Sequence, residues 1–175
     1  MMKLHIPAIG LMAVLTSVVT TAASSEELKI EGSGITRDVA CSSNDVGIYG
    51  ANNIIKLTGK CDDIVIHGTK HEVTFESAND VSVSGSENKV TGGQADDLSV
   101  EVANNEVTVT LKSNGNARAE LEVSGAENLV NVTLESDTKI EVEGVGHKVN
   151  WSVASGIKDP AISISGANHE VKKVN

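Results

Sequence analysis

The sequence predicts an all-β protein, a parallel β-helix of about seven to eight short coils stacked into a solenoid. Two observations indicate this fold: one ten-residue block recurs eight times, and charged residues alternate in sign at one position of consecutive blocks. Aromatic residues make up only 2 % of the 175 residues, so the core must be built from Val, Ile and Leu. We expect a right-handed solenoid, because parallel crossover connections usually have that hand.

The repeated block has the consensus apolar-x-apolar-x-Gly-small-x-Asn-x-Val. Self-similarity of this kind is the signature of a repeat architecture. Block starts lie 16 to 23 residues apart, a length that suits a short three-sided coil. The eight copies are IEGSGITRDV from Ile30, VGIYGANNII from Val46, IVIHGTKHEV from Ile64, VSVSGSENKV from Val81, LSVEVANNEV from Leu98, LEVSGAENLV from Leu121, IEVEGVGHKV from Ile140 and ISISGANHEV from Ile162.

Each column of the block has a structural interpretation. Aliphatic residues at positions one, three and ten alternate with polar ones, a pattern typical of strands with one buried face. Gly at position five indicates a bend with positive φ. Asn at position eight suits a left-handed corner, and stacked Asn side chains can form a hydrogen-bonded ladder. Val102 departs from the Gly column, and His71, His147 and His169 depart from the Asn column.

The ninth position supports parallel stacking. Glu72, Lys89 and Glu106 alternate in sign along consecutive copies, and Lys148 is followed by Glu170. On neighbouring strands about 4.8 Å apart these residues form favourable cross-strand pairs. The alternative is a run of β-hairpins with Gly-x-x-Asn loops, giving an antiparallel sandwich or prism. That architecture explains the spacing within the block but not the charge alternation between blocks.

The N-terminus predicts export. Residues 1–23 have the short basic start, the apolar stretch and the small residues before a cleavage site that define a signal peptide. Residues 24–175 then form a single β-helical domain, periplasmic or secreted. Cys41 and Cys61 are the only cysteines, and in an exported chain such a pair predicts a disulfide. The net charge of −10 argues against nucleic acid or an anionic membrane as partner.

The repeats resemble a known family. VSVSGSENKV and ISISGANHEV, with Cys41 just after the first block and Cys61 one coil later, are similar to the domain of unknown function 3060 family. These are exported bacterial proteins with Gly-x-x-Asn repeats and a similarly placed cysteine pair. The resemblance covers essentially the whole mature chain. It implies a β-helical exported protein and carries no established activity.

A column of carboxylates is the first candidate site. One acidic residue immediately precedes each of five consecutive blocks: Asp45, Asp63, Asp80, Asp97 and Glu120. Stacked in a solenoid, these side chains repel one another unless Ca²⁺ or another hard cation lies between them. The alternative is that each accepts backbone N–H bonds at its own corner and points to water. His147 and His169, which share one slot on consecutive coils, are a second metal candidate for Zn²⁺ or Cu²⁺.

Two insertions at one corner of the coil are candidates for partner binding. They carry Lys112, Arg118 and Lys158, three cations on an acidic chain, and repeat proteins often bind through such loops. No nucleophile–base arrangement emerges from the columns. We therefore expect an exported, non-enzymatic structural or binding module of the cell envelope without a cofactor, binding an envelope or extracellular partner. The alternative is a divalent-cation-binding protein that uses the carboxylate column.

Overall fold

The computed structural model describes residues 27–115 and 117–175, so the predicted signal peptide lies outside the described residues. The described chain forms sixteen short strands and no helix. The strands are β1 (Leu28–Ser33), β2 (Thr36–Ser42), β3 (Val46–Ala51), β4 (Ile54–Lys60), β5 (Ile64–Thr69), β6 (Glu72–Ser77), β7 (Asp80–Ser86), β8 (Lys89–Ala95), β9 (Asp97–Val100), β10 (Glu106–Leu111), β11 (Ala119–Val123), β12 (Leu129–Leu134), β13 (Thr138–Val145), β14 (Lys148–Val153), β15 (Ala161–Ala167) and β16 (Glu170–Lys173).

Each coil contributes one strand to each of two eight-stranded sheets. The first sheet contains the odd-numbered strands in the order β1 to β15, and the second contains the even-numbered strands from β2 to β16. The ladders between named strands are all parallel, as in Ile48↔Ile66 and Glu72↔Lys89. The parallel solenoid of about eight coils is therefore confirmed, and the antiparallel sandwich or prism is wrong. The strands of the described residues form two sheets rather than the three sides expected from coil length.

The register of seven blocks is as predicted, and the first block is shifted. Leu28 pairs with Val46 and Ile30 with Ile48, so the first copy starts at Leu28 and not at Ile30. The error has a simple origin. Gly32 and Gly34 both have positive φ, and the sequence alignment assigned Gly34 to position five when it occupies position seven. The corrected first spacing is 18 residues, from Leu28 to Val46.

Two turn positions define each corner between the sheets. Position five has positive φ in all eight coils, with Val102 (φ 73°) as its one non-glycine residue. Position seven is also left-handed in all eight coils. The sequence had predicted the left-handed corner at position eight instead. Residues of several types adopt this conformation at position seven: Asn52, Lys70, Glu87, Asn104, Glu127 and Asn168, with Gly34 and Gly146. The turn comes one residue early because the position-eight side chain must point into the core.

The interior consists of aliphatic stacks that run the length of the solenoid. Positions one, three and ten are buried in the central coils, as at Val81, Val83 and Val90. Phe75 and Trp151, predicted to be core, are 5 % and 7 % exposed. The last coil is different, because Ile162 and Ile164 are 40 % and 52 % exposed. One sheet edge of that coil therefore lacks a covering neighbour among the described residues.

The predicted disulfide is present between Cys41 and Cys61, with Cα atoms 4.9 Å apart. It links the end of β2 to the turn that follows β4. Such a bond is expected to stabilise the fold by about 3 kcal/mol on the chain-entropy model, and disulfides persist in oxidising compartments. Among the described residues, no helix has the length and apolar character needed to cross a membrane.

Candidate functional site

Position eight forms a continuous hydrogen-bonded ladder inside the solenoid, which we call the amide ladder. Its members are Asn53, His71, Asn88, Asn105, Asn128, His147 and His169. Each side chain accepts a hydrogen bond from the backbone N–H of position eight one coil earlier. Asn105 N–H donates to Asn128 Oδ1 at 2.9 Å, for example, and Asn128 N–H donates to His147 Nδ1 at 3.2 Å. The ladder predicted from stacked Asn residues is confirmed.

In six of the seven ladder residues, all but His71, the Asn Nδ2 or His Nε2 atom bonds back to the carbonyl four residues earlier in its own coil. Asn128 Nδ2 donates to the carbonyl oxygen of Ser124, four residues earlier, at 2.9 Å. His147 Nε2 lies 2.9 Å from the carbonyl of Glu143, and His169 Nε2 lies 3.0 Å from that of Ser165. A neutral His with its proton on Nε2 therefore reproduces both bonds of Asn. The network assigns this tautomer.

Burial makes the neutral form of the ladder histidines the favoured one. Desolvation lowers the pKa of His71 and of His147 below the ordinary value, and neighbouring carbonyl groups oppose this only in part. The proximity of His169 also lowers the pKa of His147. Nε2 of His71 is buried and forms no hydrogen bond of normal geometry with the described residues. These rings are therefore structural acceptors, neutral near pH 7.

The predicted carboxylate column is present on the outside, at the start of the first-sheet strands. Asp80 pairs in register with Asp97, and Glu120 pairs with Lys139. Some of the carboxylates accept a backbone N–H from the next coil. Glu120 N–H donates to Asp97 Oδ1 at 2.7 Å, and Asp63 N–H donates to Asp45 Oδ1 at 3.4 Å. The column is therefore partly a hydrogen-bonded edge between coils.

Carboxylates in the middle of this column are electrostatically unfavourable. The pKa of Asp80 is raised, first by desolvation and then by the charges of Asp63, Asp97, Asp96 and Asp62. Desolvation and the charge of Asp45 also raise the pKa of Asp63. The backbone hydrogen bonds therefore offset only part of the repulsion. Lys139 supplies a positive charge at the next position of the column, beside Glu120.

A shallow cleft of about 310 Å³ lies where the carboxylate column meets the outward face of the first sheet. The column contributes Asp80, Asp97 and Glu120 to its lining. Glu122 of β11 and Glu141 of β13 also line the cleft. Both are at position two of their blocks, and they pair directly in register. Lys139 contacts Glu141 at 3.0 Å and is the one cation of the lining. The carboxylates that precede the blocks and those at block position two therefore line one cleft.

The two metal candidates have different environments. No group of three or more His, Cys, Asp or Glu side chains in the described part of the chain is arranged to hold a metal ion. His147 and His169 are stacked with ring centroids 5.2 Å apart, but both nitrogens of each ring bond to backbone groups. A metal on these rings would have to displace ladder hydrogen bonds. Cation binding by the carboxylate column remains a prediction.

The two insertions and the turn between them share one corner, as expected. Ser113 N–H donates to Ser136 Oγ, which joins the first insertion to the turn of the next coil. Two predicted cations are paired there. Lys112 contacts Glu135 at 3.2 Å, and Arg118 contacts Asp137 at 3.3 Å. Lys158 lines a second hollow of about 230 Å³ beside Asp137. The corner is therefore less positive than the sequence suggested.

One polar pair was not predicted. His67 Nδ1 lies 2.8 Å from Ser84 Oγ, on the exposed face of the first sheet. His67 and Ser84 are both position-four residues on neighbouring coils, and the predicted register already pairs them. The columns were expected to hold no nucleophile–base arrangement, and this pair was overlooked. Tyr49 lies at the same position one coil earlier, its hydroxyl donating to Glu27.

The described solenoid, with its internal polar ladder, defines the class of protein as a β-solenoid repeat protein. Residues 48–105 match the family model described as Protein of unknown function (DUF3060). The match supports the family resemblance inferred from the repeats, over this segment and not over the whole mature chain. Comparisons with curated proteins and with solved structures gave no significant match.

Proposed function

We propose that the protein is an exported, non-enzymatic scaffold of the cell envelope, periplasmic or secreted, that binds a cationic partner in the acidic cleft of the first sheet. The observation that carries this proposal is the convergence of the carboxylate column with Glu122 and Glu141 in one cleft. Interior columns serve packing and the amide ladder, which leaves the outer face for binding. The Cys41–Cys61 bond supports an oxidising compartment.

The chemistry of the cleft selects for positive charge. The positive charge of Lys139 is outweighed by the negative charges of five carboxylates in the lining: Asp80, Asp97, Glu120, Glu122 and Glu141. Carboxylates crowded at strand spacing gain favourable interactions when a cation approaches, and Asp80 is already disfavoured in its ionised form. A lysine-rich segment of an envelope protein has the charge spacing for such a surface.

Titration calorimetry with hexalysine tests this proposal. We expect wild-type protein to bind hexalysine, with affinity that falls as salt increases, and Glu122→Gln/Glu141→Gln to lose most of that affinity. Glu72→Gln/Glu106→Gln is the matched control, since it changes net charge equally on the second sheet. Equal affinity for all three proteins would contradict a specific cleft. Fractionation of cells expressing the chain with and without residues 1–23 tests export.

Divalent-cation binding is the second candidate function. The raised pKa of Asp63 and Asp80 favours it, because a cation between neighbouring coils would remove the repulsion that contributes to that rise. A thermal melt with EDTA and then with CaCl₂ tests it. A Tm that rises with Ca²⁺ in wild type, but not in Asp63→Asn/Asp80→Asn, would support the idea. A Tm unaffected by Ca²⁺ would reject it.

A further inference from the structure

Three of the seven ladder residues are histidines. In each of them the Nδ1 atom, which accepts the ladder hydrogen bond, can also be protonated. Asn53 N–H donates to His71 Nδ1, Asn128 N–H to His147 Nδ1 and His147 N–H to His169 Nδ1. These distances are 3.2 to 3.3 Å, whereas the four bonds from position-eight N–H groups to Asn53, Asn88, Asn105 and Asn128 are 2.9 to 3.0 Å. A proton on Nδ1 would place two donors face to face, which breaks the bond and leaves a backbone N–H without its partner.

We propose that the ladder histidines make this solenoid acid-labile, and that acid releases its last coil, β15 with β16, before the rest. Asn can fill the same position without this sensitivity, as it does in Asn53, Asn88, Asn105 and Asn128. The histidines thus turn a structural ladder into a device that responds to acid.

The last coil is the one most dependent on these rings. It is attached to the coil before it by a ladder bond in which both residues are histidines, His147 N–H to His169 Nδ1. Their rings are stacked with an interplanar angle of 4°, so two protonated rings would repel at close range. Its aliphatic residues are also poorly covered, with Ile164 52 % exposed. Segments with few buried apolar contacts open first.

The charged neighbours do not supply a compensating partner for protonated rings. At His147 the flanking ionisable residues are Glu127 on the preceding coil, Glu143 and Lys148 on its own coil, and His169 and Glu170 on the next. Glu127, Glu143, Lys148 and Glu170 are exposed, whereas His147 is buried.

His71 has a similar setting, with the exposed residues Lys70, Glu72, Glu87 and Lys89 around it. Lys70 and Glu87 form an ion pair with each other. His67 is the titratable side chain that acts on His71, and its charge lowers the pKa of His71.

The sign of the effect follows from linkage. The folded-state pKa of His71 and His147 is lowered, so the unfolded chain binds more protons as pH falls. Their contribution to stability is fully present above the unfolded pKa of about 6.5 and is lost as pH falls towards the folded value. Asp63 and Asp80 have raised pKa values and act in the opposite direction, at lower pH. A comparison between variants cancels their effect.

Urea unfolding of wild type, His71→Asn/His147→Asn/His169→Asn and His67→Asn at pH 7.5 and 5.0 tests the proposal. We expect the wild-type unfolding constant to rise about tenfold or more on acidification, and the triple variant to show a much smaller rise. His67→Asn is the control for a histidine outside the ladder, and it should keep most of the wild-type rise, reduced only by loss of the His67 charge that lowers the pKa of His71. The same acid response in the triple variant would overturn the proposal.

Two measurements on wild type keep the test decisive if the triple variant does not fold. Imidazole NMR should show the Nε2–H tautomer for His147 and retention of the neutral ring below pH 6.5; an Nδ1–H tautomer would overturn the proposal. Hydrogen exchange at pH 5.0, corrected for intrinsic rates, should show protection lost first in residues 161–173. Uniform loss of protection along the chain would contradict release of the last coil.

Discussion

A Cβ atom at Gly125 would collide with the carbonyl oxygen of Val102, the residue at the same block position one coil earlier. The same conflict exists between Gly144 and Gly125, so position five is a column of close backbone contacts along the solenoid. Stacked coils therefore favour glycine at position five for two reasons, the positive φ and the absence of a side chain, and Val102 is the exception.

Gly125→Ala should destabilise the protein by about 2 kcal/mol or more, because it adds both a forbidden contact and backbone strain. The urea midpoint of unfolding measures the change. Gly115→Ala is the matched control, since Gly115 lies in an insertion and an added Cβ would meet only the Ala117 backbone nitrogen, at 3.9 Å. That variant should remain within about 0.5 kcal/mol of wild type. Equal losses would show that position five is not constrained.

Val102→Gly should stabilise the protein. Val102 is β-branched, has φ of 73° and is 53 % exposed. A left-handed conformation costs a non-glycine residue about 1–2 kcal/mol, whereas the exposed side chain contributes little burial. We expect a net gain of about 1 kcal/mol in the free energy of unfolding, reduced by the greater flexibility of glycine in the unfolded state. A loss of stability would show that Val102 makes packing contacts that outweigh its strain.

Val107→Asp should unfold or severely destabilise the protein, by more than about 4 kcal/mol, because it places an unpaired charge in a fully buried stack. Thr91→Asp lies on the outward face of the neighbouring strand β8 and should cost less than about 1 kcal/mol. Circular dichroism during thermal melting compares the two. Similar Tm losses would contradict the inward and outward assignment of these positions.

Asp80→Asn should raise stability at neutral pH, by an amount on the order of 0.5 kcal/mol for relief of opposed like charges. The folded-state pKa of Asp80 is raised, so its ionised form weakens the fold above that pKa and its protonated form is tolerated below about pH 4. The advantage of the variant should therefore disappear as pH falls. Asp38→Asn, beside Lys56 on the second sheet, should show no gain.

The sequence predicted the architecture because a solenoid repeats its constraints at every coil. Seven copies reinforce one another, so the buried columns and the alternating pair Glu72 and Lys89 could be recognised directly. The first copy was misaligned because Gly32 and Gly34 both satisfy a turn. Among the described residues, that copy has one neighbouring coil instead of two to fix its register.

The candidate site was only partly predictable. The column before the strands was visible as a sequence pattern, and the period of two places Glu122 and Glu141 on the same outward face, but the cleft that they line together was seen only in the structure. The ladder histidines were recognised as substitutes for Asn, yet their hydrogen-bond roles depend on ring orientation. Sequence spacing places His147 next to His169 but does not show that backbone groups occupy both nitrogens of each ring.

The amide ladder is the feature on which this account depends, and paired substitutions at Asn128 test it most directly. Asn128→Leu leaves the backbone N–H of Asn105 without its acceptor and should cost about 1–3 kcal/mol in urea unfolding at pH 7.5. Asn128→His should cost much less, because a neutral ring reproduces both bonds of the Asn128 side chain, as the His147 ring does one coil later. We therefore predict that Asn128→Leu is much less stable than Asn128→His. Equal stability of the two variants, or a more stable Leu variant, would contradict it.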